Sequence, residues 1–432
     1  MFAYAEELAE WLKAPNLNWE SGETSAAEVI STDEVRKPPV PANVLTIKIP
    51  ADVPDSAPVL KLVPAPSRLA RARTFLWLLP FVLIAASFIA LSFTHRNPRL
   101  KHALAAPHIP AADAQDLYLK GRYYFEKRTP DDLTKSVDFF TQAIVHDPGY
   151  AAPYVGLADS YNLLREYSAM PPQEAFPRAL AAATKAVELD PNNAEAHNSL
   201  AFASFWGFFD ATTADHEFKR AIELDPTLSR AHHWYATFLS AIQRDHEALA
   251  EIERARQLNP SSTPILADKG CILASAGKTE EARALLMQLT ASQPDFAPSH
   301  RYLADYVYFR EGNYAGYFEE WTTVARLRHD GNAEKRIEAE QKAYARGGQH
   351  GLFEQQLMVA RESFERGGSA FALARAHAAL GQNADALKYL EIAYQRHDLQ
   401  LTTLTTDYGL RPLHHDPQFR ALVAKVGLPA VQ

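Results

Sequence analysis

Apolar and polar positions along this chain fall into three regimes. From Thr74 to Thr94 the run TFLWLLPFVLIAASFIALSFT carries no charge, and twelve of its 21 residues are Leu, Ile, Val or Phe. At about 1.5 Å per residue such a helix spans roughly 30 Å, the thickness of a bilayer's hydrocarbon core. Its large apolar side chains favour insertion by roughly 4–7 kcal/mol in sum. Residues 74–94 are therefore expected to form one transmembrane helix, with Pro80 tolerated near its start. Residues 14–73 show no sustained period, and eight prolines fall between Pro38 and Pro66, so this stretch is expected to be a disordered linker. Residues 1–13 place Phe2, Leu8, Trp11 and Leu12 at the spacing of a short amphipathic helix, and residues 95–111 form a juxtamembrane linker.

Beyond residue 111 the pattern turns helical and repeats. Pro148, Pro191, Pro226, Pro260 and Pro294 each follow an acid or an amide, at spacings of 43, 35, 34 and 34 residues. Small residues recur between them: Gly121, Ala158, Ala201, Ala236, Gly270 and Ala304, then Ala179, Ala214, Ala248 and Ala282. Bulky ones alternate with these, namely Tyr124, Tyr161, Leu239 and Leu273, with Phe140, Phe218, Ile252 and Leu286 half a unit later. A small side chain lets two helices approach closely, and a large one fills the neighbouring groove. The pattern resembles the tetratricopeptide repeat (TPR), a helix–turn–helix unit of about 34 residues. The resemblance implies an all-α TPR superhelical solenoid over residues 112–398. It should have about seven helix pairs, the region 331–366 being divergent and broken at Gly347-Gly348 and Gly367-Gly368. The long first spacing holds an insertion at residues 166–177 that should lengthen a helix or loop. Residues 399–432, with Asp416, Pro417, Phe419, Leu422, Gly427 and Leu428, resemble the closing segment of bacterial TPR proteins and should cap the last repeat.

The first dozen residues resemble the end of small excisionase- or MerR-like DNA-binding domains through Phe2, Ala3, Tyr4, Glu7, Leu8, Trp11 and Leu12. The layout as a whole is similar to membrane-anchored one-component regulators of the ToxR/CadC type, without an intact DNA-binding domain. Arg68, Arg71 and Arg73 crowd the near side of the apolar run, against Arg96, Arg99 and Lys101 on the far side. The tighter cluster favours a cytoplasmic N-terminus and repeats outside the cytoplasm, as a single-pass protein of the inner or plasma membrane.

Composition narrows the chemistry. A net charge of −8 over 432 residues gives no global footprint for nucleic acid. The single cysteine, Cys271, leaves no intrachain disulfide and no thiolate zinc site. His232-His233 and His414-His415 point about 100° apart on a helix and make no two-ligand face. His197, His232 and His300 share one repeat position and are expected to pack. AGKTEEA at 276–282 lacks the first glycine of a phosphate loop and reads as an interhelical turn. No catalytic residues, cofactor or metal are expected. By the resemblance, the first helices line a concave face that binds a protein or peptide partner. That face should present Tyr118, Arg122, Phe125, Asp159, Asn162, Asn198, Phe202, Phe205, Arg230, His233, Arg301, Asp305 and Tyr308. The expected function is a membrane-anchored scaffold or sensor. The alternatives are the sensor part of a membrane-bound transcriptional regulator whose DNA-binding head is missing or encoded upstream, and an accessory subunit of an envelope enzyme or assembly complex.

Overall fold

Each proline pair of the sequence ends a helix. In this computed structural model, which describes residues 108–167 and 170–430, the residues before Pro148, Pro191, Pro226, Pro260 and Pro294 have φ between −145° and −134°. A residue preceding proline is driven out of the helical region, so the chain must turn there. Five regular hairpins result: α1 (Ala112–Lys127) with α2 (Pro130–His146), α3 (Ala151–Tyr167) with α4 (Pro172–Leu189), α5 (Ala194–Phe208) with α6 (Ala211–Leu224), α7 (Ser229–Ala241) with α8 (Asp245–Leu258), and α9 (Thr263–Ser275) with α10 (Thr279–Ser292). The 166–177 insertion lengthens both helices of its hairpin, to 17 and 18 residues.

The sixth hairpin opens with α11 (Ala297–Tyr302), which runs on through a π-helical stretch, Leu303–Tyr308, and a last turn, Phe309–Glu311, before packing on α12 (Tyr314–Leu327). The seventh is the 35-residue α13 (Gly331–Glu365), whose halves meet at Gly348 with φ 59° and ψ −148°. That backbone conformation is open to glycine and strained for other residues. α14 (Ala370–Ala379) and α15 (Asn383–Gln395) make the eighth. Eight hairpins thus stand among the described residues where about seven were expected, the divergent region 331–366 being one of them. Two 3₁₀ turns, Leu399–Thr403 and Tyr408–Leu413, and a final helix α16 (Pro417–Lys425) follow. The stretches 1–13, 14–73, 74–94 and 95–107 lie outside the described residues. Within the described residues no helix is long and apolar enough to cross a membrane.

Packing follows the small–large alternation. A Cβ on Gly121 would stand 2.5 Å from the Phe140 ring, and one on Gly270 would stand 2.6 Å from Leu286 Cγ. Phe140, Phe218, Ile252 and Leu286 are all fully buried over such positions. Tyr124 departs from the pattern. It stacks on Phe139 at 5.3 Å while Phe125 enters the core.

The three histidines do more than pack. His197, His232 and His300 place Nε2 at 3.0, 3.0 and 2.9 Å from the carbonyls of Pro191, Pro226 and Pro294. Each Nδ1 faces a second-helix carboxylate, that of Glu217, Glu251 or Glu320. Every such ring therefore pins the start of a first helix to the preceding turn and to its own partner helix. In the second hairpin Tyr154 makes the equivalent link, its hydroxyl donating to the Pro148 carbonyl at 3.3 Å.

Candidate functional site: an inner cavity

The segment after α15 turns back across the first helices. Its 3₁₀ turn Leu399–Thr403 packs on α5. The His397 ring lies 4.5 Å from Phe209, and Gln243 Nε2 donates to the Thr405 carbonyl at 2.9 Å. Tyr408 reaches Phe309 with ring centroids 6.4 Å apart. Residues 399–413 were expected only to cover the last repeat. Instead they also line the inner side, while α16 packs on α15. The helix start at Asp416 is conventional, its side chain accepting from Gln418 N at 2.7 Å. Together the returning segment and the first helices bound a cavity of about 1320 Å³. That volume exceeds the roughly 300–1,000 Å³ of ordinary small-ligand pockets.

The cavity wall is polar and aromatic. α11 contributes Arg301, Tyr302, Asp305, Tyr306, Phe309 and Arg310. These span more than two turns of one face, and the π stretch, which closes each turn one residue later than an α-helix, is what aligns them. Asp268 and Cys271 come from α9, Trp321 from α12, Glu340 from α13, Arg375 from α14, and Asp407 and Tyr408 from the returning segment.

Most of the acids are already engaged. Burial works against the Asp268 charge, but His233 Nε2 at 2.6 Å and the Tyr302 hydroxyl at 2.7 Å hold its carboxyl below the usual range. Burial pushes the Asp305 carboxyl up, against the pull of Arg375 and a bond from Trp321 Nε1 at 2.8 Å. Glu340 is likewise raised by burial. Burial, with Asp268 beside it, pushes the Cys271 thiol up to about 12, which makes it a protonated and poorly nucleophilic group. Among the described residues, no group of three His, Cys, Asp or Glu is placed to hold a metal ion.

The thirteen residues assigned to the concave face separate into distinct environments. Phe202, His233, Arg301 and Asp305 line the cavity. Arg122, Asp159, Asn162 and Arg230 sit on first helices but are engaged with neighbouring groups, while Asn198, also on a first helix, has both side-chain polar atoms buried without a hydrogen-bond partner. Arg230 bonds Asp159 at 2.9 Å and Glu195 at 2.8 Å, and Glu195 lies 3.7 Å from Arg122. Asn162 Nδ2 donates to the Ser199 carbonyl at 3.2 Å, and Ser199 donates to Asp159. Asn198 is wholly buried. Phe125 and Phe205 are core residues, 2% and 1% exposed, with no surface to offer a partner. Tyr118 packs on Phe140 and Tyr150, and Tyr308 turns towards Gly316 on α12. The repeat register identifies the helix correctly, but neighbouring repeats cover part of the face it marks. Sequence reasoning missed Tyr306, Arg310, Trp321 and Tyr408. Arg310 and Tyr306 share the first-helix register with Arg301, which was a usable signal, whereas Tyr408 reaches the cavity only because the C-terminal segment returns.

No known family model matches the chain. Over 154 residues it is 28% identical to Transcriptional regulator HilA of Salmonella typhimurium, and equally to that of Salmonella typhi. The match covers 34% of this chain, and the chain spans only 27% of the length of those curated relatives. Among solved structures, YrrB, described as a TPR protein with an unusual peptide-binding site, is 23% identical, with a TM-score of 0.31 over 46% of this chain and 97% of its own. PilW, a type IV pilus biogenesis factor, is 21% identical, with a TM-score of 0.39 over 48% and 91%. Yeast Tom70 is 15% identical, with a TM-score of 0.40 over 75% and 69%. The TPR-like architecture stands on the chain's own hairpins and their spacing.

Proposed function

We propose that the chain is a non-catalytic binding module, anchored in a membrane by residues 74–94, that recognises a segment of a protein partner in the inner cavity. The observation that carries this reading is the wall itself. Arginines, carboxylates and aromatic rings from six first helices and the returning segment converge on a space large enough for a short peptide. The supporting chemistry is recognition: buried donors, acceptors and ring faces, with a thiol raised to about 12 and so held protonated. Photo-crosslinking in cells tests it. A crosslinker at Arg336, exposed on the cavity wall, should capture one defined partner, and one at Glu223 on an outer helix should not. Equal capture from both positions, or none from Arg336, would refute the reading.

A second reading has its own support. The likeness to a transcriptional regulator favours a sensor whose occupancy is passed to a DNA-binding partner or portion lying outside the repeats. The orientation proposed with either reading places the repeats outside the cytoplasm. A phosphatase fused after residue 110 should then be active, and an inactive phosphatase beside a fluorescent cytoplasmic fusion would reverse the orientation.

A further inference from the structure

Arg310 faces the cavity with its charge uncompensated. It lies past the π stretch of α11, donates from Nη1 to the Ala274 carbonyl at 3.1 Å, and stacks over Tyr306 with its guanidinium carbon 4.8 Å from the ring centroid. The Tyr408 ring of the returning segment has its centroid 5.9 Å from the same carbon. Its Nε is buried without a hydrogen-bond partner, and among the described residues no carboxylate lies within ion-pair distance. Nearby charges are differently placed: Asp268 is held by His233 and Tyr302, and Asp305 by Trp321. Arg375 lies 3.6 Å from Asp407. A cation in a confined wall, lacking a counter-charge, is where added negative charge gains most.

The shape of the free edge selects the anion. With Nη1 bound to a carbonyl, the Nε–H and the outer Nη2–H point the same way and form a planar two-donor fork. A carboxylate presents two oxygens at matching spacing, so it is gripped bidentately. A carboxylate's single charge is matched by the single Arg310 guanidinium, whereas the second charge of a phosphate is left unmatched at the fork. The rings of Tyr306 and Tyr408, centred 4.8 and 5.9 Å from the guanidinium carbon, offer apolar faces to the carbons that bear the carboxylate. We infer that the cavity holds an organic carboxylate on the Arg310 fork. This deepens the reading of the cavity as a recognition site and rests on it. The carboxylate comes either from a free organic acid or from an acidic side chain of the partner segment.

The test is calorimetric titration of the purified full-length chain with benzoate, with a short end-capped peptide carrying one glutamate, and with inorganic phosphate. One carboxylate probe should bind, the free acid or the peptide according to source, and phosphate should bind more weakly. Arg310→Met keeps the stem on Tyr306 and should weaken binding at least about tenfold, or about 1.4 kcal/mol. Arg310→Lys keeps the charge but loses the fork and should fall between the two, which guards against a misfolded methionine variant. Circular dichroism of both variants should match the parent. The inference is overturned if neither carboxylate binds in the millimolar range, if both variants bind like the parent, or if phosphate binds as tightly as benzoate. Partner capture from Arg336 that persists while carboxylates fail to bind would sink this inference alone. Carboxylate binding without partner capture would instead sink the partner-binding reading.

Discussion

The histidine brackets make a sharp thermodynamic prediction, best seen at His300. The ring is buried, with Nε2 at 2.9 Å from the Pro294 carbonyl and Nδ1 at 2.5 Å from Glu320. Both neighbours are acceptors, so both ring nitrogens must carry hydrogen for both bonds to form. The imidazolium is the bracketing species. Burial alone would lower its pKa, but the Glu320 bond and the Pro294 carbonyl outweigh this and raise it above 6.5. His300→Phe keeps a ring in the same space and removes both bonds. A charge-assisted bond contributes about 1.5–3 kcal/mol and a neutral one about 0.5–1.5, so the variant should lose roughly 2–4 kcal/mol. Because the folded-state pKa is raised, this contribution is fully present below the unfolded value of 6.5 and lost as pH rises through the folded value. Urea unfolding of parent and variant, followed by circular dichroism from well below to well above that pH, reads the difference. The stability gap should be widest in acid and shrink in alkali. A gap that is flat with pH, or that widens as pH rises, would refute the imidazolium bracket.

Two further perturbations test other parts of the fold. Arg230→Ala removes the cation paired at 2.9 Å with Asp159, whose side chain is 3% exposed, and should cost about 3–5 kcal/mol because the carboxylate is left buried. A melting temperature within a degree or so of the parent would show that the network is not holding the first four repeats. The Cys271 thiol, raised to about 12, should react with an aromatic disulfide reagent far more slowly in the native chain than in denaturant. Equal rates would mean that the α9 wall opens readily.

How much of this was legible in the sequence follows from the range of each interaction. The hairpins are local: a proline after each acid or amide ends a helix through sterics of the adjacent residue, and Gly270 beneath Leu286 is a contact within one repeat. Those features could be read at a fixed period, and Gly348 could be read as a break because few other residues take its backbone angles. The histidines were half legible. Their shared position, six residues after proline, was visible, but their task depended on a glutamate 19 or 20 residues further on, which a search for packing residues does not seek. The site was least legible, for two physical reasons. Register assigns a side chain to the first helix but does not say whether the next repeat covers it. Asn198 and Phe205 carry the concave register and are buried all the same, while Phe202, on the same helix, lines the cavity. The second reason is that the cavity is closed by contacts between residues far apart in sequence, such as Gln243 with Thr405 and Arg310 beside Tyr408. A nearest-neighbour array specifies its own stacking but not where its end returns. The returning segment turns a face that sequence reads as an open groove into a lined cavity. Its wall is therefore set by one π turn and one C-terminal loop rather than by the repeat.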